Sequence, residues 1–314
     1  MNLRDLEYLV AVGELKHFRK AAEKCFVSQP TLSGQLKKLE RYLGVQLIER
    51  TTRNVFLTPI GEEIVKTSRI ILADVASIEN MVATYSDPMC GTINIGLIPT
   101  IAPYLLPLIV QPINAAYPQI EIILHEVQTD IMLEKLSEGT LDAGILAVPI
   151  EMKGLDEIIL YTEPFYVAAN DQHMFASKQS IKIEDLRDET LLLLEEGHCL
   201  RGQVMDVCSQ TMTKVRKDFQ GTSLETIRHM VSTGIGITLI PQTAIDYKNL
   251  IQNASIKYIP FKKPVPARSV GLLFRKTSNR KVCFEKLAVS IQTIIQKEFP
   301  VEEDVEVLPV KMKR

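Results

Sequence analysis

Apolar residues recur at helical spacing from the start of the chain. Leu3, Leu6, Leu9 and Val10, then Phe18, Ala21, Ala22 and Cys25, predict two short helices. A third opens at Ser28-Gln29-Pro30, where a capping hydroxyl precedes a proline tolerated in the first turn, and it runs through Leu32, Leu36, Leu39 and Leu43 until Gly44 stops it. At about 100° per residue those leucines share one face and leave Pro30, Thr31, Gly34, Lys37 and Lys38 opposite, flanked by Ser33 and Gln35. This small, polar and basic face suits close insertion into a DNA major groove, where hydroxyls and amides, Gln29 included, read base edges and lysines meet phosphates. A merely solvated helix face would account for the lysines but not for the glycine and proline beside them. Two alternating stretches, Val45 to Arg50 and Asn54 to Leu57, predict a hairpin wing that carries Arg50 and Arg53 toward the DNA backbone or minor groove.

Thr58-Pro59 starts a long helix with Glu62 and Glu63 near its positive end. Ile64, Ser68, Ile71, Val75, Ile78, Val82 and Tyr85 follow a 4-3-4-3 spacing, the signature of a two-stranded seam, so the helix is expected to dimerise; a core-packing helix is the alternative. Asp87-Pro88 ends it. From Thr92 onward strands (93–98, 120–127, 143–148) alternate with helices (103–117, 131–137), which predicts a parallel sheet with covering helices. A second set of strands follows Glu163-Pro164, at 165–169, 191–194 and 236–240. The chain then returns at 270–274 and ends in an amphipathic helix over 282–299. The fold class is α/β. The expected division is a DNA-binding head over 1–58, a linker helix over 59–87, and a regulatory domain over 88–300. Its first lobe is about 88–163 plus 268–300 and its second about 164–267. The tail, 301–314, is expected to be loosely held.

Composition sharpens this picture in two places. The 314 residues are 46% apolar and 24% charged, an ordinary globular balance, and the net charge is only −2. Residues 1–60 nevertheless hold ten Lys/Arg against six Asp/Glu, so a head of charge +4 sits on a body of −6, as a nucleic-acid partner favours. No apolar run reaches the ~18 residues of a membrane span, and Arg4, Asp5 and Glu7 stand where a signal peptide is apolar, so a cytoplasmic protein with no membrane partner is expected. The five cysteines are odd in number and lack CxxC spacing, which points to a reducing compartment rather than a disulfide framework. His17, His125, His173 and His229 have no metal-ligand spacing, and no phosphate loop or Ser/His/Asp signature stands out. No metal or cofactor is therefore expected.

The chemistry concentrates at Gly197-His198-Cys199, which follows an apolar strand and precedes a helix over Leu200 to Gln210. Backbone amides at that helix start, with His198 and Arg201 adjacent, should lower the Cys199 pKa and supply a nucleophilic thiolate, open to reversible oxidation to a sulfenic acid. A small buried hydrophobe is the alternative fate. Cys25 and Cys283 fall on apolar helix faces, and Cys90 lies in the linker.

The head carries Phe18-Arg-Lys-Ala-Ala, Val27-Ser-Gln-Pro-Thr-Leu-Ser, Leu39-Glu, Leu43-Gly and Leu47-Ile-Glu-Arg-Thr, and with these it resembles the LysR-type transcriptional regulators. The body carries Gly96-Leu-Ile-Pro-Thr100, Tyr104-Leu-Leu-Pro, His125-Glu-Val-Gln-Thr129, Glu196-Gly-His-Cys-Leu-Arg201, Cys208, Thr222-Ser-Leu-Glu-Thr and Gly236-Ile-Thr-Leu-Ile-Pro, and there it is similar to the peroxide-responsive members. The likeness runs from residue 1 to about 299. It implies a winged helix-turn-helix, a dimerising linker helix and a two-lobed periplasmic-binding-protein-like domain, assembled as a dimer of dimers. It also implies a peroxidatic Cys199, a resolving Cys208 and a peroxide pocket of Thr100, Thr129, His198 and Arg268, with Arg275 a competing candidate for the last. The implied partners are a double-stranded operator, hydrogen peroxide, RNA polymerase and a reductant such as glutaredoxin or thioredoxin. Gly202, Val204, Asp206 and Val207 depart from the pattern. If residues 199–208 form one helix, the implied disulfide has to break it and pull Val204, Met205 and Val207 off their packing. Two other readings stay open: a LysR-type regulator of a small organic inducer held between the lobes, and a thiol peroxidase, for which a basic head and a dimer seam have no use.

Overall fold

The computed structural model describes residues 1–50, 55–150, 152–209, 214–246, 255–299 and 305–307, with backbone alone at 50, 77, 79–86, 208–209, 214–220 and 246. Internal contacts divide the chain into two units, Met1–Ser86 with Lys135–Thr140, and Asp87–Glu134 with Leu141–Arg314.

In the first unit α1 (Leu3–Leu15), α2 (Phe18–Lys24) and α3 (Gln29–Leu43) form where the apolar spacing places them. Side chains satisfy their free N-terminal amides. Asn2 and Asp5 exchange side-chain and backbone bonds at 2.9 and 3.0 Å, and Ser28 Oγ accepts from the Thr31 amide at 3.3 Å. Leu9, Leu32, Leu36, Leu39 and Leu47 meet in the core with Phe18, Ala21 and Val65. The wing, β1 (Ile48–Arg50) and β2 (Val55–Leu57), is an antiparallel pair. It is fixed to α3 by Glu40, whose carboxylate accepts from the amides of Leu47 at 2.9 Å and Ile48 at 3.1 Å. α4 (Pro59–Ser86) starts against this wing so closely that a β-carbon at Gly61 would lie 2.2 Å from the Leu47 carbonyl oxygen; only glycine fits. Along its seam spacing Ser68 is buried while Ile71 and Ile78 are exposed.

In the second unit β3 (Gly91–Leu97), β4 (Ile120–Glu126) and β5 (Ala143–Val148) are parallel, connected through α5 (Ala102–Ala116) and α6 (Thr129–Ser137). The expected parallel sheet stops there. Two long strands, β6 (Leu155–Asn170) and β11 (Val265–Arg275), run antiparallel to each other, and β11 runs antiparallel to β5, so the sheet is mixed. They cross between the two lobes with Glu163 opposite Arg268 and Pro164 opposite Ala267. Pro164 looks like a break in sequence, yet it sits where β6 changes neighbours. β9 (Thr238–Pro241) and β10 (Ile256–Pro260) pair with β6 only from Phe165 and Tyr166 on, so the missing N–H interrupts little of the ladder. The second lobe also holds β7 (Thr190–Leu194) parallel to β8 (Lys214–Gly221), with α7 (Cys199–Ser209), α8 (Leu224–Ser232) and α9 (Gln242–Asp246). Its core gathers Phe165, Phe175, Leu191 to Leu194, Ile227 and Leu239. α10 (Lys281–Glu298) packs on β6, β11 and α5. Within the tail, expected to be loose, Val305–Val307 forms a short strand, β12, parallel to β11.

Candidate functional site

On α3 the side chains of Gln29, Pro30, Thr31, Lys37 and Lys38 are exposed, and Ser33 and Gln35 are half-buried. A β-carbon added at Gly34 would meet nothing within 4 Å, so the face is open and low. Arg50 ends β1, with only its backbone described, and Arg53 lies outside the described residues.

The second candidate site is built from four separate pieces of chain. Gly197, at φ +96°, turns the chain from β7 toward α7, and a β-carbon there would sit 2.6 Å from Gln128 Oε1. Glycine thus lets the cysteine loop meet the start of α6, whose first residue, Thr129, is buried. Cys199 is the first residue of α7, with the Thr129 hydroxyl and backbone groups of Ala147 and Leu200 beside its sulfur. Across the site β11 presents Arg268, completely buried. Its Nε donates to Glu163 Oε1 at 2.8 Å, Nη1 to Thr100 Oγ1 at 3.1 Å and Nη2 to the Thr100 carbonyl at 3.0 Å. Glu163 Oε2 in turn accepts from the Thr243 amide at 2.9 Å and its hydroxyl at 2.7 Å. A buried ion pair is tolerable only with its remaining bonding capacity satisfied, and here both carboxylate oxygens and all three guanidinium nitrogens are engaged.

The thiol departs from expectation. Burial pushes the Cys199 pKa up; the Arg268 charge, then the Thr129 hydroxyl, then the Ala147 and Leu200 backbone pull it back, and burial wins. The two neighbours in sequence supply no cation to it. Burial lowers the His198 pKa against the pull of Glu195 and Glu126, leaving the ring neutral at pH 7, with Nε2 4.0 Å from Glu195 Oε1. Arg201 turns away, its Nη1 donating to the Leu194 carbonyl at 2.7 Å. The cation beside the sulfur is therefore Arg268. The competing Arg275 lies at the far end of β11, donating to the Leu141 carbonyl at 2.7 Å and 3.9 Å from Asp142.

Sequence reasoning missed Glu163 and Thr243, which hold Arg268, and passed over a third residue, Gln203. Gln203 lies one turn after Cys199 on the same face of α7, 1% exposed, with neither side-chain amide atom hydrogen-bonded. That i, i+4 spacing was a usable signal. Cys208 lies on the same helix, nine positions on, which puts its α-carbon roughly 14 Å from that of Cys199. Elsewhere, burial pushes the Cys283 thiol up to about 11, burial and then Glu7 raise that of half-buried Cys25, and Cys90 Sγ donates to the Asp87 carbonyl at 3.0 Å. Among the described residues no group of three or more His, Cys, Asp or Glu side chains is placed to hold a metal ion, and no helix is long and apolar enough to cross a membrane.

Residues 3–62 match the family model for bacterial regulatory helix-turn-helix proteins of the lysR family, and residues 86–289 match that for the LysR substrate binding domain. The chain is 44% identical over 296 residues to the hydrogen peroxide-inducible genes activator of Dickeya chrysanthemi, covering 94% of this chain and 96% of that one. It is 44% identical over 292 residues to the DNA-binding transcriptional dual regulator OxyR of Escherichia coli (strain K12), covering 93% and 95%. Among solved structures, full-length OxyR C199D from Pseudomonas aeruginosa superposes with a TM-score of 0.77 at 38% identity, over 93% of this chain and 95% of that one.

Proposed function

The chain belongs to the lysR family of bacterial helix-turn-helix regulators, and we propose that it is a DNA-binding transcriptional regulator switched by hydrogen peroxide at Cys199. The observation that carries this reading is the buried guanidinium of Arg268, brought by the crossing strand to a cysteine at a helix start. The thiolate sulfur attacks one peroxide oxygen, the O–O bond breaks, and the other oxygen leaves as water once protonated, so sulfur is oxidised to sulfenic acid. Arg268 stabilises the thiolate and the negative charge that develops on the leaving oxygen, while Thr129 and Gln203 offer hydrogen bonds to the peroxide. Thr100 fixes the guanidinium, and neutral His198 closes the pocket. Cys208 is the resolving residue: its sulfur attacks the sulfenic sulfur, the S–S bond forms and a second water leaves. Two electrons and two protons from a dithiol reductant of the glutaredoxin or thioredoxin kind reset the pair.

The output is through the head, 1–58. α3 lies in the major groove with Gln29, Pro30, Thr31, Ser33 and Gln35 at base edges. Lys37 and Lys38 meet phosphates, and the wing brings Arg50 and Arg53 to the DNA. Exposed Ile71 and Ile78 on the linker helix, 59–87, pair with a second copy, and two such dimers join through the regulatory domains, 88–300. RNA polymerase is the partner that reads the change, in the cytoplasm. Since the disulfide has to be reduced before another cycle, the chain is a sensor and not an enzyme.

Mass spectrometry of the reduced protein after sub-stoichiometric peroxide tests this. A Cys199–Cys208 linkage should form, Cys199→Ser should abolish it, and Cys25→Ser, Cys90→Ser and Cys283→Ser should preserve it. An unmodified Cys199, or peroxide consumed well beyond one equivalent without reductant, would sink the reading.

A further inference from the structure

The tail contributes something the chemistry of the cysteine does not require. Ala267 of β11 pairs on one side with Pro164 of β6 and on the other with Val307 of β12. β12 therefore occupies the edge of β11 that β5 takes over only from Ser269 onward. Its three partners, Val265, Pro266 and Ala267, are buried and immediately precede Arg268. Val305 of β12 also packs against the core of the second lobe.

We propose that β12 is a strap that braces the crossing strand on its open edge and so holds Arg268 in place beside Cys199. Arg268 has to be positioned from its backbone, because every guanidinium nitrogen is already committed to Glu163 or Thr100. A slip of β11 by a few tenths of an ångström would disturb bonds made to two separate pieces of chain, Glu163 and Thr100. At Ala267 the strand has β6 on one edge and the strap on the other, while Val265 and Pro266 pair with the strap alone. Without the strap this segment is an open edge directly before the charged pair. A three-residue strand is a marginal one, so the brace is detachable rather than part of the core. The thiol is sensitive to this, since the Arg268 charge is the largest influence opposing the effect of burial on Cys199.

The proposal rests on the peroxide reading and is tested beside it. The intact chain is compared with one ending at Phe299 and with Val305→Asp, which keeps the tail but places a carboxylate against the lobe core. Both variants should bind the operator normally when reduced, which reports the fold. Amide exchange at Val265 and Ala267 should speed up. The pH at which half of Cys199 ionises should rise, and oxidation by peroxide at pH 7 should slow by the same factor, roughly three- to tenfold. Val305→Ile, which keeps the apolar contact, should leave all three as in the intact chain. Unchanged exchange at Val265 and Ala267, or faster exchange with unchanged Cys199 ionisation, overturns the strap while leaving peroxide sensing intact. If the intact chain itself fails to react with peroxide, the parent reading fails, and the exchange comparison then decides on its own whether the tail braces the strand. Should the shortened chain misfold, Val305→Asp makes the same comparison at full length.

Discussion

Val204→Ala is the sharpest probe of the switch. The α-carbons of Cys199 and Cys208 are roughly 14 Å apart along α7, whereas a disulfide spans at most about 7 Å, so the bond cannot form on the intact helix. Closing it unravels the segment between them, with about six helical hydrogen bonds of ~1 kcal/mol each. Leu200, Val204 and Val207 are buried in the core of the second lobe; Met205, expected to share that packing, is 44% exposed. Losing the helix and the two valines costs on the order of 10 kcal/mol, which the chemistry of peroxide reduction supplies. Val204→Ala removes about 2 kcal/mol of packing from the reduced form alone. Because 1.4 kcal/mol corresponds to about 30 mV for two electrons, the midpoint potential of the pair should fall by about 40 mV, toward easier oxidation. Met205→Ala, on the exposed face, should move it by less than ~10 mV. Equilibration in glutathione buffers, with the linkage read by mass, measures both. If Val204→Ala behaves like Met205→Ala or raises the potential, Val204 keeps its packing in the oxidised form and the unravelling argument is wrong.

Glu163→Gln leaves the Arg268 charge without its counter-ion: stability should drop by about 3 to 5 kcal/mol in a denaturant titration, and Cys199 should ionise at lower pH and oxidise faster at pH 7. A variant as stable as the parent, or one oxidising more slowly, contradicts the assigned electrostatics. Because burial raises the Cys199 pKa, the thiolate fraction and hence the oxidation rate should still be climbing with pH above the ordinary thiol value of about 8.5; stopped-flow rates that level off below pH 7 would show a lowered pKa instead. In gel-shift titrations Lys37→Ala should weaken all sequences alike and flatten the salt dependence by about one phosphate's worth, whereas Gln29→Ala should cost roughly 1 to 3 kcal/mol on the operator only. Equal loss on operator and random DNA for Gln29→Ala counts against its base contact.

The head was legible because its determinants are local. Apolar spacing placed α1, α2 and α3; Ser28 and Gly44 marked the ends of α3 as chemical stops, and its cap bond is made at 3.3 Å. The body was legible only where a strand and its helix follow in order. β3, β4 and β5 obey that rule. β6 does not: Leu155 to Thr162 alternates poorly, Pro164 imitates a terminator, and its pairing is set by β11, a hundred residues later. β8 and β10 were missed for a related reason, since what makes Lys214–Gly221 and Ile256–Pro260 strands is the neighbour each pairs with rather than its own pattern.

The same division explains the site. Proximity in sequence suggested His198 and Arg201 as the charges that tune Cys199, yet a residue next to the cysteine at a helix start is committed to local geometry. Arg201 ties the helix to the Leu194 carbonyl, and His198 is buried beside carboxylates too weakly placed to keep it charged. A cation that is to act on a buried sulfur must itself be buried and compensated, and that needs a scaffold of crossing strands with a carboxylate in register. Among the described residues β6 and β11 provide one, through Glu163 opposite Arg268. The tuning charge therefore had to come from the crossing strands. Their alignment then becomes a control on the chemistry, so anything that holds or releases β11 near residue 267 acts on Cys199 from a distance.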